Sequence, residues 1–288
     1  MRISITKIFS ITSLLITQIA LALSPYLPPP RSLYLNTAYT FETANRFWSG
    51  RNNMPLQAPI KVRTLWLGFD YGIAENLALD FITGYTNSSN PAATRSNFDG
   101  IADSTLGLRW QVVDEDLTAH LPSIALRVAG ILHGTYERTS GAGNNLHAPG
   151  DKVNAVEGDV IVGKHLPWDF TVTGELSYLQ RSSPAPEEYI VAANLIQNIT
   201  PQFNWNVGLR RVANLYGKDI SDSDFTGRSS DFQALREIKN YASAGIGYNT
   251  PWGQVIGLNY ARVIGNNRNT KDSHLVSLYL TLPLNRGI

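Results

Sequence analysis

The chain has 288 residues, and its 24 Lys and Arg against 23 Asp and Glu give a formal net charge of +1. That balance provides no electrostatic footprint for nucleic acid. The absence of cysteine excludes a disulfide framework and a cysteine-ligated zinc.

The chain opens with Arg2 and Lys7, an apolar run from Ile8 to Ala20, and the small-residue pattern Ala20-Leu21-Ala22. This layout predicts a secretory signal over residues 1–22, cut after Ala22, with residues 23–288 as the mature domain. The apolar run, about 13 residues, falls short of the roughly 20 that a spanning helix needs. Later apolar stretches are interrupted within a few residues by Gly, Asn, Asp, Arg or Thr. A membrane location for the mature chain therefore requires a closed sheet, in which every backbone group finds a partner.

From Leu33 onward, alternating segments, short turns and longer polar loops repeat as six hairpins. The second hairpin is clearest. Leu65, Leu67, Phe69 and Tyr71 alternate with Trp66, Gly68, Asp70 and Gly72, and after the turn 73–76 the pattern resumes at Leu77, Leu79, Phe81 and Tyr85. Period two predicts strands with one greasy and one mixed face. The other strands are expected near residues 33–43, 101–113, 123–134, 153–165, 170–180, 189–198, 203–212, 238–248, 254–263 and 274–284.

Connections alternate in length. Short ones fall at 73–76, 114–121, 166–169, 200–202 and 249–253, and long ones at 44–60, 87–100, 135–152, 181–188, 216–237 and 264–272. That alternation is the mark of an outer-membrane barrel, with short periplasmic turns and long outer loops. Aromatics sort accordingly. Tyr71, Trp168, Phe170, Phe203, Trp205, Tyr248 and Trp252 lie beside short turns, whereas Tyr39, Phe41, Tyr85, Tyr178, Tyr189 and Tyr260 lie beside long loops. A soluble β-sandwich also alternates but has no reason to form two girdles. The predicted fold is all-β, a transmembrane antiparallel up-and-down β-barrel of about twelve strands in the bacterial outer membrane.

Two stretches carry a family resemblance: Tyr71-Gly72-Ile73-Ala74-Glu75-Asn76-Leu77, and Gly100-Ile101-Ala102-Asp103-Ser104-Thr105-Leu106-Gly107-Leu108-Arg109-Trp110. The first resembles the strand-turn-strand signature, and the second the Gly-x-x-Asp-x-x-Leu-Gly strand, of the outer-membrane family named for the meta-pathway of phenol degradation. Pro122 to Arg127 is also similar. The likeness in sequence runs from about Val62 to Gly134 and beyond that is one of architecture. It implies a channel-like outer-membrane transporter whose solute the family name does not settle. The chain departs from many barrels of this type by ending Leu282-Pro283-Leu284-Asn285-Arg286-Gly287-Ile288 and not on an aromatic.

Because lipid solvates no charge, parity sends Asp70, Asp80, Asp103, Arg109, Arg127, Glu157, Asp159, Glu175 and Arg210 into the lumen. Asp80 with Arg109, and Glu175 with Arg210, are the expected opposite-sign neighbours. Trp66 shares inward parity and serves as a constriction, a ligand platform or core filling. These residues are the candidate selectivity region of a channel for passive uptake or efflux of small solutes, hydrophobic or aromatic ones included. Two alternatives remain open at this point: a filled structural barrel, and an outer-membrane lipid-modifying hydrolase. For the hydrolase only His133 with Ser140 offers a seed, since His120 and His165 lie by short turns, His147 lies in a loop, and His274 and Ser277 face opposite sides of one strand. Asp219, Asp222, Asp224 and Asp231 lack calcium-loop spacing. No cofactor or metal is called for, and the expected partners are outer-membrane lipid, lipopolysaccharide, the barrel-assembly machinery and an unidentified small solute.

Overall fold

The computed structural model describes residues 23–285 apart from 94, 119 and 138–146. The expected signal and Ser140 lie outside the described residues. No helix among the described residues is long and apolar enough to cross a membrane. The chain is built from strands: β1 (Leu33–Ser49), β2 (Asn52–Ala74), β3 (Leu77–Ser89), β4 (Asn97–Ile101), β5 (Ser104–Val113), β6 (Ser123–Leu132), β7 (Ala155–Leu166), β8 (Phe170–Arg181), β9 (Glu188–Asn198), β10 (Phe203–Asn214), β11 (Ile238–Asn249), β12 (Val255–Val263) and β13 (Lys271–Asn285).

Each strand pairs antiparallel with its neighbours, and β1 pairs with both β2 and β13, so the sheet has no open edge. Short β4 and longer β5 both lie against β3, on either side of a break at Ala102–Asp103, and together make one wall strand. The result is a closed antiparallel barrel of twelve wall strands. Closure satisfies the ladder groups internally, which a bilayer demands.

Parity follows the pattern that lipid imposes. Leu65, Leu67, Leu106, Leu108, Val128, Val160, Leu176, Leu209, Ile246, Leu258 and Leu278 are exposed, and the residues that alternate with them are buried or half-buried. Exposed Tyr71, Trp168, Phe203, Tyr248 and Trp252 ring the short-turn end, while Tyr39, Tyr85, Tyr178 and Tyr260 ring the other.

Two expected loops are corrected. Most of 44–60 is strand, because β1 runs 17 residues and β2 runs 23, well beyond the roughly 9–11 that cross a bilayer. Above the lipid no apolar face is required, so Asn52, Asn53 and Gln57 continue the hairpin without alternation. The segment 87–100 likewise contributes strand at both ends, to Ser89 in β3 and from Asn97 in β4. A bulge between Ala44 and Arg46 marks where the hairpin changes register.

Candidate functional site

One side of the lumen is a charged wall. The register places Asp70 opposite Asp80 and Arg109 opposite Arg127, an arrangement that is repulsive pair by pair. The two like-charge pairs compensate each other on the diagonal. Arg109 donates to Asp70 at 3.1 Å, and Arg127 grips Asp80 through Nε and Nη2 at 3.0 and 2.8 Å. Arg127 Nη1 also reaches Glu157 and Asp159, each at 2.8 Å. The expected Asp80–Arg109 pairing is therefore corrected to Asp80–Arg127. Gly107 explains it: Asp80 faces Gly107 across the ladder, and a Cβ there would stand 2.6 Å from both Arg127 Nε and Asp80 Oδ2. The bare backbone is the window through which Arg127 crosses β5. Arg109 is fully buried and Arg127 nearly so. Glu175 faces Arg210 at 3.6 Å, as the sequence suggests.

A strap before β1 packs against this wall. At the short-turn rim Arg31 N–H donates to the Gly72 carbonyl at 2.7 Å, and Gly72 N–H donates to Ser32 O at 3.0 Å. A side chain at Gly72 would collide with the Pro29 carbonyl, and one at Gly163 would meet the Pro25 ring. Tyr26 stacks on His165 at 4.5 Å and donates to Glu115 at 2.8 Å. Burial and the Glu115 carboxylate push the Tyr26 phenol up, so it stays a donor. Arg109 donates to Ser24 O at 2.8 Å, and Leu23 sits against Ala125 and Ile161. Sequence reasoning missed the strap, although bare inward glycines at 72 and 163 mark where it lies.

One row of the lumen is neutral, although Arg210 and the Glu42–Lys271 ion pair lie on strands that it crosses. Following the register from Asn206, direct partners run through Gly245, Asn259, Ser277, Thr40, Thr64 and Thr86 without a charge. Thr40 and Ser277 share a hydrogen bond at 3.0 Å, as do Thr64 and Thr86. Asn194 lies opposite Thr173 on the neighbouring pair. The amide atoms of Asn194, Oδ1 of Asn206 and Asn259, and the Thr173 hydroxyl are buried without a protein partner. In an adjacent row, Trp66 packs against the buried cluster of Ala38, Val255 and Tyr279, and its indole N–H also has no partner.

The other candidates lie elsewhere. Asp103 belongs to neither wall: it occupies the β4–β5 break, where it accepts from Gly134 N–H at 2.7 Å and from Tyr136 OH at 2.8 Å. Among the described contacts it pairs with none of the other candidate lumen charges, because the break sets it beside the segment that follows β6. His133 Nδ1 lies 2.9 Å from the Gly134 carbonyl. The acidic loop residues are engaged by cations and donors: Asp231 by Lys218 and Thr226, Asp219 by Arg268 and Ser221.

No protein-family model and no curated protein matches the sequence. The fold, however, is shared with solved outer-membrane barrels. An outer membrane channel from Pseudomonas putida superposes with a TM-score of 0.69 at 14% identity, covering 90% of this chain and 98% of that one. The translocator domain of the autotransporter NalP from Neisseria meningitidis gives 0.50 at 14% identity, with 87% and 88% covered. The KdgM porin in complex with disordered oligogalacturonate gives 0.50 at 8%, with 88% and 99% covered.

Proposed function

We propose that the chain is a bacterial outer-membrane channel through which small uncharged solutes pass passively along the neutral wall. The observation that carries this reading is the set of buried, unpartnered amide and hydroxyl atoms at Thr173, Asn194, Asn206 and Asn259. A buried polar group left unmet costs about 1–3 kcal/mol, so folded proteins keep few of them. Four on the neighbouring strands β8, β9, β10 and β12 are explained if they meet water or the hydroxyl and carbonyl groups of a solute. The charged wall is a poor path for ions because its guanidinium and carboxylate groups are already bound to one another.

The apolar patch of Trp66, Ala38, Val255 and Tyr279 borders that path and suits a small apolar or aromatic solute. Vesicles carrying the protein should swell in small neutral solutes and show only low ionic conductance. Replacing Asn194, Asn206 and Asn259 together by Leu should slow swelling without loss of the folded barrel. Swelling that is absent, or indifferent to the triple change, would favour a filled structural barrel.

A further inference from the structure

The inner tip of the strap ends on a carboxylate. Leu23 is 4% exposed, and its backbone nitrogen donates to Glu175 Oε2 at 2.6 Å. The other Glu175 oxygen accepts from Ser177 Oγ at 3.0 Å and faces Arg210 at 3.6 Å. The charge count around the site leaves room for a further cation. Asp70 pairs with Arg109 and Glu175 with Arg210, while Asp80, Glu157 and Asp159 share Arg127, so five buried carboxylates of this wall stand against three guanidinium groups. A buried carboxylate short of a cation is costly. Independently, Ala20-Leu21-Ala22 places an expected cleavage immediately before Leu23.

We propose that hydrolysis of the Ala22–Leu23 bond adds a cation to this wall: the new α-ammonium of Leu23 binds Glu175 and pins the strap inside the lumen. Water is the co-reactant and a membrane peptidase specific for small residues the catalyst. The C–N bond breaks, the water hydroxyl joins the Ala22 carbonyl carbon to give a carboxylate, and the departing amine takes the protons to become ammonium. Glu175 is a positioning residue for that terminus. Register matters, because one residue more or fewer moves the charge by about 3.3–3.6 Å along the chain.

The test uses the full chain expressed with its leader and purified from outer membranes. Intact mass and N-terminal sequencing should give Leu23 as the first residue. The α-amine should resist acylation by an N-hydroxysuccinimide ester in the folded barrel. Glu175→Gln should raise its labelling rate about tenfold, the effect of lowering an amine pKa by one unit. Inserting one Ala between Ala22 and Leu23 should raise labelling similarly while Glu175 is intact, which keeps the question open to measurement if Glu175→Gln does not fold. A first residue other than Leu23, or equal labelling in the wild type and the folded variants, overturns the proposal. Neither readout involves conductance, so this inference and the channel reading fail separately.

Discussion

The two sides of the lumen solve the burial of polar side chains in opposite ways. On β2, β3 and β5–β7 the groups are charged and mutually bound, with Arg127 serving three carboxylates at once. On the row that runs from Thr173 and Asn194 through Asn206 and Asn259 to Thr40 they are neutral and partly unmet, with both amide atoms of Asn194 lacking a protein partner. A charge in a closed barrel must find its counter-charge in the wall or in the strap packed on it, so the charged side is rigid and serves stability. An amide carries no charge to balance, so it can face a passage and find its partner in water or solute. Function is therefore expected where the lumen is least charged.

The sharpest way to break this comparison is to remove one group from each wall. Arg127→Ala strands Asp80, Glu157 and Asp159 together, and breaking a buried pair costs roughly 3–5 kcal/mol. Asn259→Leu removes an unmet group and should change stability by less than about 1 kcal/mol, since apolar replacement of an unpartnered polar atom is near neutral. Denaturant unfolding in detergent, read by loss of heat-modifiable migration, measures both. Equal losses would mean that the walls do not differ as described.

The next effect tests inside against outside. Leu108→Arg places a charge on the lipid face and should cost about 2–4 kcal/mol near the midplane. Asn259→Lys places one on the neutral lumen wall and should be tolerated better. Gly68, though inward, is the wrong control, because any Cβ there would stand 2.7 Å from the Phe81 carbonyl oxygen. Arg210→Gln should act more weakly still, reducing anion preference in bilayer recordings, since its side chain keeps about one tenth of its surface exposed and sits 3.6 Å from Glu175. An unchanged reversal potential would remove Arg210 from the conducting path.

The walls were legible in the sequence to the extent that lipid imposes alternation. Period two assigned Asp70, Asp80, Arg109, Arg127, Glu157, Asp159 and Glu175 to the inside because no charge can face hydrocarbon, and all seven are buried. Who pairs with whom was not legible, because the diagonal reach of Arg127 depends on the missing side chain at Gly107. The β1–β2 extension was hidden for a related reason: above the lipid, strands need no greasy face. The strap was hidden because a Pro-rich run such as Pro25 to Pro30 has no periodicity and reads as a linker. Its contacts are specified by the wall it meets and not by its own pattern.

The smallest expected effect lies outside both walls, in the loop that carries Asp231. The Lys218 ammonium at 2.8 Å and the Thr226 N–H and hydroxyl hold its carboxyl well below the usual carboxylate range. A carboxylate whose folded pKa is depressed contributes stability that is complete above its unfolded value, about 3.9, and is lost as pH falls further through the folded value. Amide protection of residues 217–236, corrected for intrinsic exchange, should therefore hold from neutral pH down to about 4 and decline below it. Asp231→Asn should lower that protection at every pH and abolish the decline, while leaving the barrel amides of β2 and β3 untouched. Because the Lys218 end is open to solvent, added salt should weaken the effect in the wild type. A loop whose protection ignores both pH and Asp231→Asn would be held by its backbone contacts, such as Lys218 N–H to Ala234 O at 2.8 Å, and not by its charges.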